Sequence, residues 1–289
     1  MASQPKVWFI TSCSAGFGIS LARAVLAHGH HLIASSRNPS RTPDLVQEVK
    51  RKGGHWLALE VTSSAKDIKR TIDEAVALHG RLDVIVNNAG FAVLGAVEDV
   101  TEEMTRAQFE TNVIGALKVT QSALPAMRAA RSGTVVNISS ISGLVSRAGL
   151  SMYAASKHAL EAISEALSQE VAPFGVRVIL VEPGLFRTNF LEHGAATYEQ
   201  PSEPYRGTVV EDNIQHLQGR HGKQPGDPDK AAERIYEVVT GEGMANGKPE
   251  HLRLVLGSNA FRTAQTKIEQ LKKNLTELEE LSMSTEYDP

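Results

Sequence analysis

Short apolar runs alternate with amphipathic stretches along most of the chain. Turn signals or polar residues follow these runs, as is typical of strands that are buried on both faces of a sheet. The runs predict seven strands: Val7–Ile10, His31–Ser35, Trp56–Val61, Val84–Val86, Thr134–Ile138, Val176–Val181 and Leu252–Leu256. Apolar residues at helical spacing predict helices near Leu21–Leu26, Ala65–Leu78, Glu102–Ala130, Tyr153–Val171 and Asp229–Val239, and a C-terminal helix over residues 259–282.

This alternation of strands and helices predicts an α/β fold. A parallel sheet with helices on both faces accommodates such an order with short connections. We therefore expect a three-layer Rossmann fold, doubly wound around a mostly parallel seven-stranded sheet, with residues 1–289 forming a single domain. In that fold, ligands bind beyond the C-terminal ends of the strands.

Composition narrows the functional classes. The chain has 30 Lys and Arg against 33 Asp and Glu, a net charge of −3 without long blocks of like charge. We therefore expect no binding to nucleic acid or to an anionic membrane. A single cysteine, Cys13, excludes an internal disulfide and is typical of a reducing compartment. Without a signal-peptide core or a run of about twenty apolar residues, the chain is expected to be a soluble cytoplasmic protein.

Tyr153 and Lys157 form the strongest chemical signal. Their four-residue spacing places a phenol and an ammonium group on one face of a helix. A nearby cation stabilises a phenolate, so we expect the pKa of Tyr153 to fall toward the working pH, where proton transfer to a carbonyl oxygen is efficient. The pair alone has an alternative interpretation, because Tyr and Lys four apart arise often on a solvated helix.

Two further stretches indicate a nucleotide site. Gly16 and Gly18 lie between the first strand and its helix, where residues without Cβ atoms let backbone N–H groups approach a pyrophosphate. An ordinary tight turn is the alternative. Ser36 and Arg37 follow the second strand without a carboxylate, which favours NADP over NAD because an arginine bonds the 2′-phosphate. A solvated turn arginine is the alternative there.

Other polar and apolar positions have plainer interpretations. Asn112 is an amide among apolar residues of a predicted helix, and a helix kink or a core hydrogen bond would explain it. Three histidines around Gly29 lack further ligands at metal spacing, so we expect surface residues and no metal; they are His28, His30 and His31. An apolar stripe on the C-terminal helix predicts a helix docked on the domain surface; it comprises Ile268, Leu271, Leu275, Leu278 and Leu281.

The stretch from Phe186 to about Asp227 is rich in Gly, Pro, His and polar residues and has weak periodicity. It predicts a mobile insertion at the ligand end of the sheet, namely a substrate lid over residues 186–227. Its apolar members would form the pocket wall, or would only pack the loop onto its own domain: Phe186, Phe190, Leu191, Tyr198 and Tyr205.

Taken together, the motifs resemble those of the short-chain dehydrogenase/reductase family in its single-domain form. Thr11-Ser12-x-x-x-Gly16-Phe17-Gly18 is similar to the family's glycine-rich loop, and Asn87-Asn88-Ala89-Gly90 to its Asn-Asn-Ala-Gly turn. Ser140 lies thirteen residues before Tyr153, as the family's catalytic serine does. Asn112 matches the helix asparagine, Tyr153-x-x-x-Lys157 the catalytic pair, and Pro183-Gly184-x-x-x-Thr188 the nicotinamide-side loop. The part from about Arg253 is more weakly similar to that of hydroxysteroid dehydrogenases.

The resemblance implies a function and a set of site residues. It implies NADPH-dependent reduction of a ketone or aldehyde, reversible, by four catalytic residues: Asn112, Ser140, Tyr153 and Lys157. Cofactor contacts are implied at Gly16, Phe17, Gly18, Ile19, Arg37, Glu60, Val61, Asn88, Ala89, Gly90, Tyr153, Lys157, Pro183, Gly184, Phe186 and Thr188. The implied substrate is a carbonyl compound or an alcohol, and the apolar members of the 186–227 segment favour an apolar one. No metal is implied. The resemblance also implies a homodimer or homotetramer.

Two positions depart from the family pattern, and two other functions stay open. Ser12 stands where the family has its first glycine, so the turn must avoid a positive φ or bear strain. Glu60 stands where the family has an aspartate near the adenine. An epimerase or dehydratase that uses its cofactor transiently is one alternative function, and a non-catalytic NADP(H)-binding regulatory protein is the other.

Overall fold

The central sheet of the computed structural model, which describes residues 4–192 and 195–287, has seven parallel strands in the order β3-β2-β1-β4-β6-β7-β9. The strands of the chain are β1 Val7–Ile10, β2 His31–Ser36, β3 His55–Ala58, β4 Val84–Asn87, β5 Ala92–Leu94, β6 Gly133–Ile138, β7 Val176–Pro183, β8 Ala196–Tyr198 and β9 Arg253–Leu256. The predicted fold class is confirmed. The strand order reverses at β1, which pairs with β2 on one side and β4 on the other, so a crevice opens there at the strand ends.

The helices among the described residues are α1 Gly16–Ala27, α2 Pro43–Arg51, α3 Ala65–His79, α4 Glu102–Phe109, α5 Ala116–Ala130, α6 Ser151–Val171, α7 Val209–Gln218, α8 Pro228–Thr240, α9 Ser258–Glu277 and α10 Glu279–Met283. Helices cover both faces of the sheet, α1 and α8 on one face and α3 and α5 on the other. The predicted long helix over 102–130 is present, but a π-helical segment, Glu110–Gly115, joins α4 to α5. Helix α2 was not predicted. It buries only Val49 fully, with Leu45 and Val46 packed partly buried against the core, so its apolar face is short.

Two apolar clusters form the main core, one on each side of the sheet. Alternate residues of β1 point to opposite faces, with Trp8 and Ile10 in one cluster and Val7 and Phe9 in the other. The first cluster packs against α1 and α8, and the second against α3 and α5. Because both faces of these strands are buried, their sequences are continuous apolar runs.

A third apolar cluster lies over the C-terminal ends of the strands. Strands β5 and β8 pair in parallel, and Val210 and Ile214 of α7 pack with them and with Tyr153. The segment over 186–227, which we predicted to be a weakly periodic insertion, therefore contains a strand and a helix among its described residues. Residues 193–194 of this segment lie outside the described part of the chain.

The surface location that we predicted for the histidines around Gly29 is wrong for His30. His28 and His31 are exposed, but His30 is buried. Its Nδ1 accepts a hydrogen bond from the backbone N–H of Lys6 (2.8 Å), and its Nε2 lies 3.0 Å from the hydroxyl of Tyr236. His30 therefore ties the start of the chain to α8.

The prediction that the C-terminal stripe docks on the domain is also wrong. Helix α9 buries only Ala260 and Ala264, near its start. Every residue from Ile268 to Tyr287 is exposed, because the helix continues past the edge of the domain. Within the described residues, none of the helices combines the length and the apolar character that a bilayer span requires.

Candidate active site

Ser140, Tyr153 and Lys157 meet beyond the end of β6. Tyr153 and Lys157 lie one turn apart on α6, and the Lys157 Nζ atom is 5.9 Å from the centre of the Tyr153 ring. Lys157 Nζ donates a hydrogen bond to the carbonyl oxygen of Ile138 (2.8 Å), which fixes α6 against the strand. The hydroxyl of Ser140 forms a hydrogen bond with the phenol of Tyr153. All three side chains are buried.

The predicted fall in the pKa of Tyr153 is not found. Burial raises the pKa of its phenol to about 12, against the smaller lowering effect of the Ser140 hydrogen bond. Burial also lowers the pKa of Lys157 to about 8, while the carboxylate of Glu161 opposes that change. Because the ammonium group donates to a backbone carbonyl and is itself destabilised by burial, it does not offset the desolvation of the phenol.

The loop between β1 and α1 is held by Asn88. Asn88 Nδ2 donates to the carbonyl oxygens of Thr11 (2.9 Å) and Ser12 (3.1 Å), while Thr11 Oγ1 accepts from the backbone N–H of Asn88 (2.9 Å). A Cβ atom on Gly18 would lie 2.4 Å from the Ser12 oxygen and 2.7 Å from Asn88 Nδ2, so only glycine is accommodated there. The φ of Ser12 is 59°, so this residue bears the strain that we considered.

Helix α1 begins at the open side of this loop. Gly16, its first residue, has a φ of 55°, and the N-cap Ala15 provides no side-chain hydrogen bond. The first turn contains no acidic residue. Uncapped backbone N–H groups and the positive end of the helix dipole therefore face outward, which is a suitable site for a phosphate.

Arg37 and Glu60 form a pair at the far end of this crevice. Arg37 Nε lies 3.5 Å from Glu60 Oε2, and the Arg37 side chain is 74% exposed. The backbone N–H of Thr62 also donates to Glu60 Oε1 (3.3 Å). Glu60 thus contacts Arg37, whereas the family resemblance had implied only that Glu60 lies near the adenine of the cofactor.

A cavity connects this loop to Tyr153. Of the predicted site residues, those that line it are Gly16, Phe17, Asn88, Gly90, Ser140, Tyr153, Lys157, Pro183, Gly184, Phe186 and Thr188. The others lie outside its wall: Gly18, Ile19, Arg37, Glu60, Val61, Ala89 and Asn112. The side chains of Ile19 and Val61 pack in the core, so only their backbones could contact a ligand.

Asn112 is a core hydrogen-bonding residue in this structure. Its Oδ1 accepts from the backbone N–H of Phe91 (3.1 Å), and its Nδ2 donates to the Phe91 oxygen (3.0 Å) and to Ser156 Oγ (3.0 Å). It lies close to the lysine nevertheless, since a Cβ on Gly90 would be 3.2 Å from Asn112 Oδ1 and 3.6 Å from Lys157 Nζ. This amide belongs to the π-helical segment and lies behind the cavity wall, near Lys157.

The apolar wall differs in part from the one predicted. Phe186, Phe190 and Leu191 line the cavity, and the Phe190 ring lies 5.7 Å from that of Tyr153. Tyr198 and Tyr205 do not line it but pack with the third cluster. Sequence reasoning missed further apolar members of the wall, which come from distant segments without a shared pattern; among them are Leu94, Ile141, Val145, Leu150, Leu185 and Leu217.

A cluster of carboxylates lies behind Ser140 and Lys157. Arg253 contacts the carboxylates of Glu161, Glu165 and Glu182, and Ser139 Oγ donates to Glu161 Oε1 (2.6 Å). Glu161 and Glu182 are buried. Burial and the neighbouring Glu161 raise the pKa of Glu182 to about 7.

Comparison with known proteins agrees with these features. The family model described as short chain dehydrogenase matches residues 6–199. The oxidoreductase claN of Passalora fulva is 43% identical over 213 residues, covering 73% of this chain and 95% of that protein. The 3-ketodihydrosphingosine reductase of Bacteroides thetaiotaomicron is 38% identical over 190 residues, covering 66% and 67%. A short-chain dehydrogenase from Streptomyces avermitilis has a crystal structure that superposes with a TM-score of 0.88 at 40% identity, covering 99% and 100%.

The raised pKa of Glu182 generates a prediction about stability. A raised carboxyl pKa means that the neutral form is favoured in the folded state. The stabilisation that the neutral Glu182 carboxyl gives to the folded state is fully present below pH about 4.5. It is lost as the pH rises through about 7. Glu182→Gln mimics the protonated acid. Between pH 5 and pH 8, the free energy of unfolding of this variant should therefore fall less than that of the wild type, by on the order of 1–3 kcal/mol.

Chemical unfolding at several pH values measures this difference. Glu165→Gln is the matched control, because Glu165 contacts the same arginine but its side chain is 52% exposed. That control should keep the wild-type pH dependence. Equal pH dependence in the wild type and in Glu182→Gln would show that the pKa of Glu182 is not raised in the folded protein.

Proposed function

The chain belongs to the short-chain dehydrogenase family, and from that premise we propose that it is an NADPH-dependent reductase that converts a ketone or aldehyde into an alcohol, reversibly. The observation that carries the proposal is the meeting of Ser140, Tyr153 and Lys157 at one cavity. A protein that only bound the cofactor would need no buried proton donor there. We also propose a cytoplasmic location, which the single buried cysteine supports. A homo-oligomer is a further part of the proposal.

In the proposed mechanism, Ser140 and Tyr153 hold the carbonyl oxygen of the substrate. The Tyr153 phenol, with its pKa raised to about 12, is protonated at neutral pH and is therefore ready to donate. It would transfer its proton to the oxygen as the carbonyl carbon is reduced. A bound reduced nicotinamide supplies the hydride that this reduction requires. Lys157, held by the Ile138 carbonyl, would position the phenol and limit the cost of the phenolate that remains.

The loop and the helix N-terminus described above fit the phosphates of such a cofactor. The uncapped first turn of α1 supports pyrophosphate binding, and Gly18 lets the loop approach closely. We propose NADPH over NADH because Arg37 follows β2 without a carboxylate at the strand end. Glu60 limits this preference, since its carboxylate lies beside the guanidinium that would bind the 2′-phosphate.

An apolar ketone is the substrate class that the cavity supports best. Phe186, Phe190 and Leu191 face the site from one segment, and Leu94 and Leu150 from others. The relative from Bacteroides thetaiotaomicron is named as a reductase of 3-ketodihydrosphingosine, a ketone with a long alkyl chain. The function is tested by following NADPH oxidation with matched ketones of increasing chain length. Activity that fell with chain length would contradict an apolar substrate, and no oxidation with any carbonyl compound would contradict the proposal.

Replacing Tyr153 tests the chemistry. Tyr153→Phe should lower kcat by about 10²–10⁴ because the proton donor is removed, while NADPH affinity changes little. Steady-state rates and a fluorescence titration with NADPH measure the two effects. Tyr287→Phe, at a fully exposed position, is the control and should keep wild-type rates. Substantial turnover by folded Tyr153→Phe protein would refute the assigned role.

Two opposite changes test cofactor preference. Arg37→Ala should weaken NADPH binding more than NADH binding, by roughly 1.5 kcal/mol, because a charged hydrogen bond in solvent is lost. Glu60→Gln should instead strengthen NADPH binding, since it removes the competing carboxylate. Calorimetric titration of both cofactors measures these shifts. If Arg37→Ala weakened the two cofactors equally, Arg37 would not contact the 2′-phosphate.

The segment over 186–227 is proposed to act as a substrate lid. It begins at the cavity wall, and its helix α7 packs over Tyr153 through Ile214. Loops so placed close over a reacting centre and exclude water. Amides of this segment should therefore exchange faster in the free protein and slow on addition of NADPH with a carbonyl substrate. The amides of β1 and β4 serve as the internal control, and unchanged protection of the segment would argue against a lid.

A further inference from the structure

The C-terminal helix carries an apolar face that the described part of the domain leaves exposed. Helix α9 contacts the domain through Ala260 and Ala264, and every residue from Ile268 to Tyr287 is exposed. Helix α9 ends at Glu277, and α10 follows as a separate short helix. The N–H of Leu278, the C-cap residue of α9, still donates to the Asn274 oxygen (3.1 Å), so Leu278 is held at the end of α9.

The apolar residues of this helix follow a heptad pattern. They alternate in steps of three and four along one stripe: Phe261, Ala264, Ile268, Leu271, Leu275 and Leu278. Such spacing is that of the a and d positions of a coiled coil, where each side chain packs between those of a facing helix. Leu275 is 74% exposed and Ile268 is 64% exposed. Apolar side chains of this size, in register on one face, are typical of an interface.

Charge is divided between the two halves of the helix. Residues 261–273 contain four basic side chains and one acidic one, namely Arg262, Lys267, Lys272 and Lys273 against Glu269. Residues 274–283, which complete α9 and form α10, contain three glutamates and no basic residue, the glutamates being Glu277, Glu279 and Glu280. An antiparallel pair of such helices places the basic half of each against the acidic half of the other. A parallel pair places like charges together.

The same charges disfavour a membrane as the covering surface. Helices that lie on anionic bilayers carry Lys and Arg along their polar face. Here the outer half of the helix is acidic, so an anionic surface would repel it. A second copy of this chain has both the apolar stripe and the complementary charge.

We propose that this helix pairs antiparallel with the same helix of a second copy of the chain. In the register that aligns the apolar stripes, Ile268 packs against the partner's Leu278 and Leu271 against the partner's Leu275. Each central layer then contains only Ile and Leu. The base of the helix also borders the cavity, through Asn259 and Thr263, so the pairing connects the subunit contact to the site wall.

Engineered cysteines test the contact and its direction. The chain's single cysteine, Cys13, is buried, so cysteines added to the exposed helix would be the reactive thiols. A mixture of Ile268→Cys and Leu278→Cys proteins should form a mixed disulfide dimer under mild oxidation. Either variant alone should form little. Efficient disulfide formation by Ile268→Cys alone would show a parallel contact and overturn the proposal.

Sedimentation measures the contribution of the helix to assembly. Leu271→Lys/Leu275→Lys should have half the wild-type mass, with an unchanged far-ultraviolet spectrum of the domain. Gln270→Lys/Thr276→Lys adds the same charge off the stripe and should keep the wild-type mass. An unchanged mass in the first variant would overturn the proposal. The proposal would also be overturned if the wild type floated with phosphatidylserine vesicles and the cysteine variants formed no mixed disulfides.

Discussion

The burial of Lys157 is the constraint on which the geometry of the site depends. An ammonium group removed from water is costly unless charges and hydrogen bonds compensate, by several kcal/mol in order of magnitude. Here the carbonyl oxygen of Ile138 accepts a hydrogen bond from Lys157 Nζ, and the carboxylate of Glu161 favours the charged form of the lysine. Glu161 is in turn held by Ser139 and Arg253. These contacts join β6, α6 and β9, so the position of the lysine is fixed by the sheet itself.

The second constraint is conformational and lies in the loop before α1. Ser12 adopts a positive φ, which costs on the order of 1–3 kcal/mol for a residue other than glycine. The strain persists because the surroundings fix it. The amide of Asn88 bonds the oxygens of Thr11 and Ser12, and Gly18 packs directly beneath them. The turn after β4 thus shapes the turn after β1, which explains why both turns are needed for a single binding surface.

The sequence predicted those parts of the structure that depend on local pattern. The strands were found because neighbouring residues such as Trp8 and Phe9 are buried on opposite faces of the sheet, and burial of both faces gives an unbroken apolar run. The spacing of Tyr153 and Lys157 predicted their proximity, but the pKa of the phenol depends on what covers it, and spacing contains no information on that. Strands β5 and β8 were missed since each has three residues and its partner is about a hundred positions away.

The predictions for two segments were wrong because the sequence pattern does not show which residues cover a given face. His30 has the sequence context of a turn residue, and its burial follows from Tyr236, which is remote in sequence. The stripe on α9 has the same pattern whether it docks on its own domain or faces outward, because a pattern of apolar residues records that a face is covered and does not record by what. The three-dimensional position of the helix decides between these cases. It shows that the described domain does not cover the stripe.

The residues that pack over Tyr153 connect the segment over 186–227 to the proposed proton transfer. Tyr153 belongs to the apolar cluster formed by β5, β8 and α7, and the ring of Phe190 lies beside its own. Burial is the largest cause of its raised pKa, and part of that burial is contributed by residues after Phe186. A displacement of this segment would admit water and bring the pKa of the phenol back toward about 10. Under the lid motion proposed above, one displacement would therefore change both the access of the substrate and the free energy of proton transfer from the phenol.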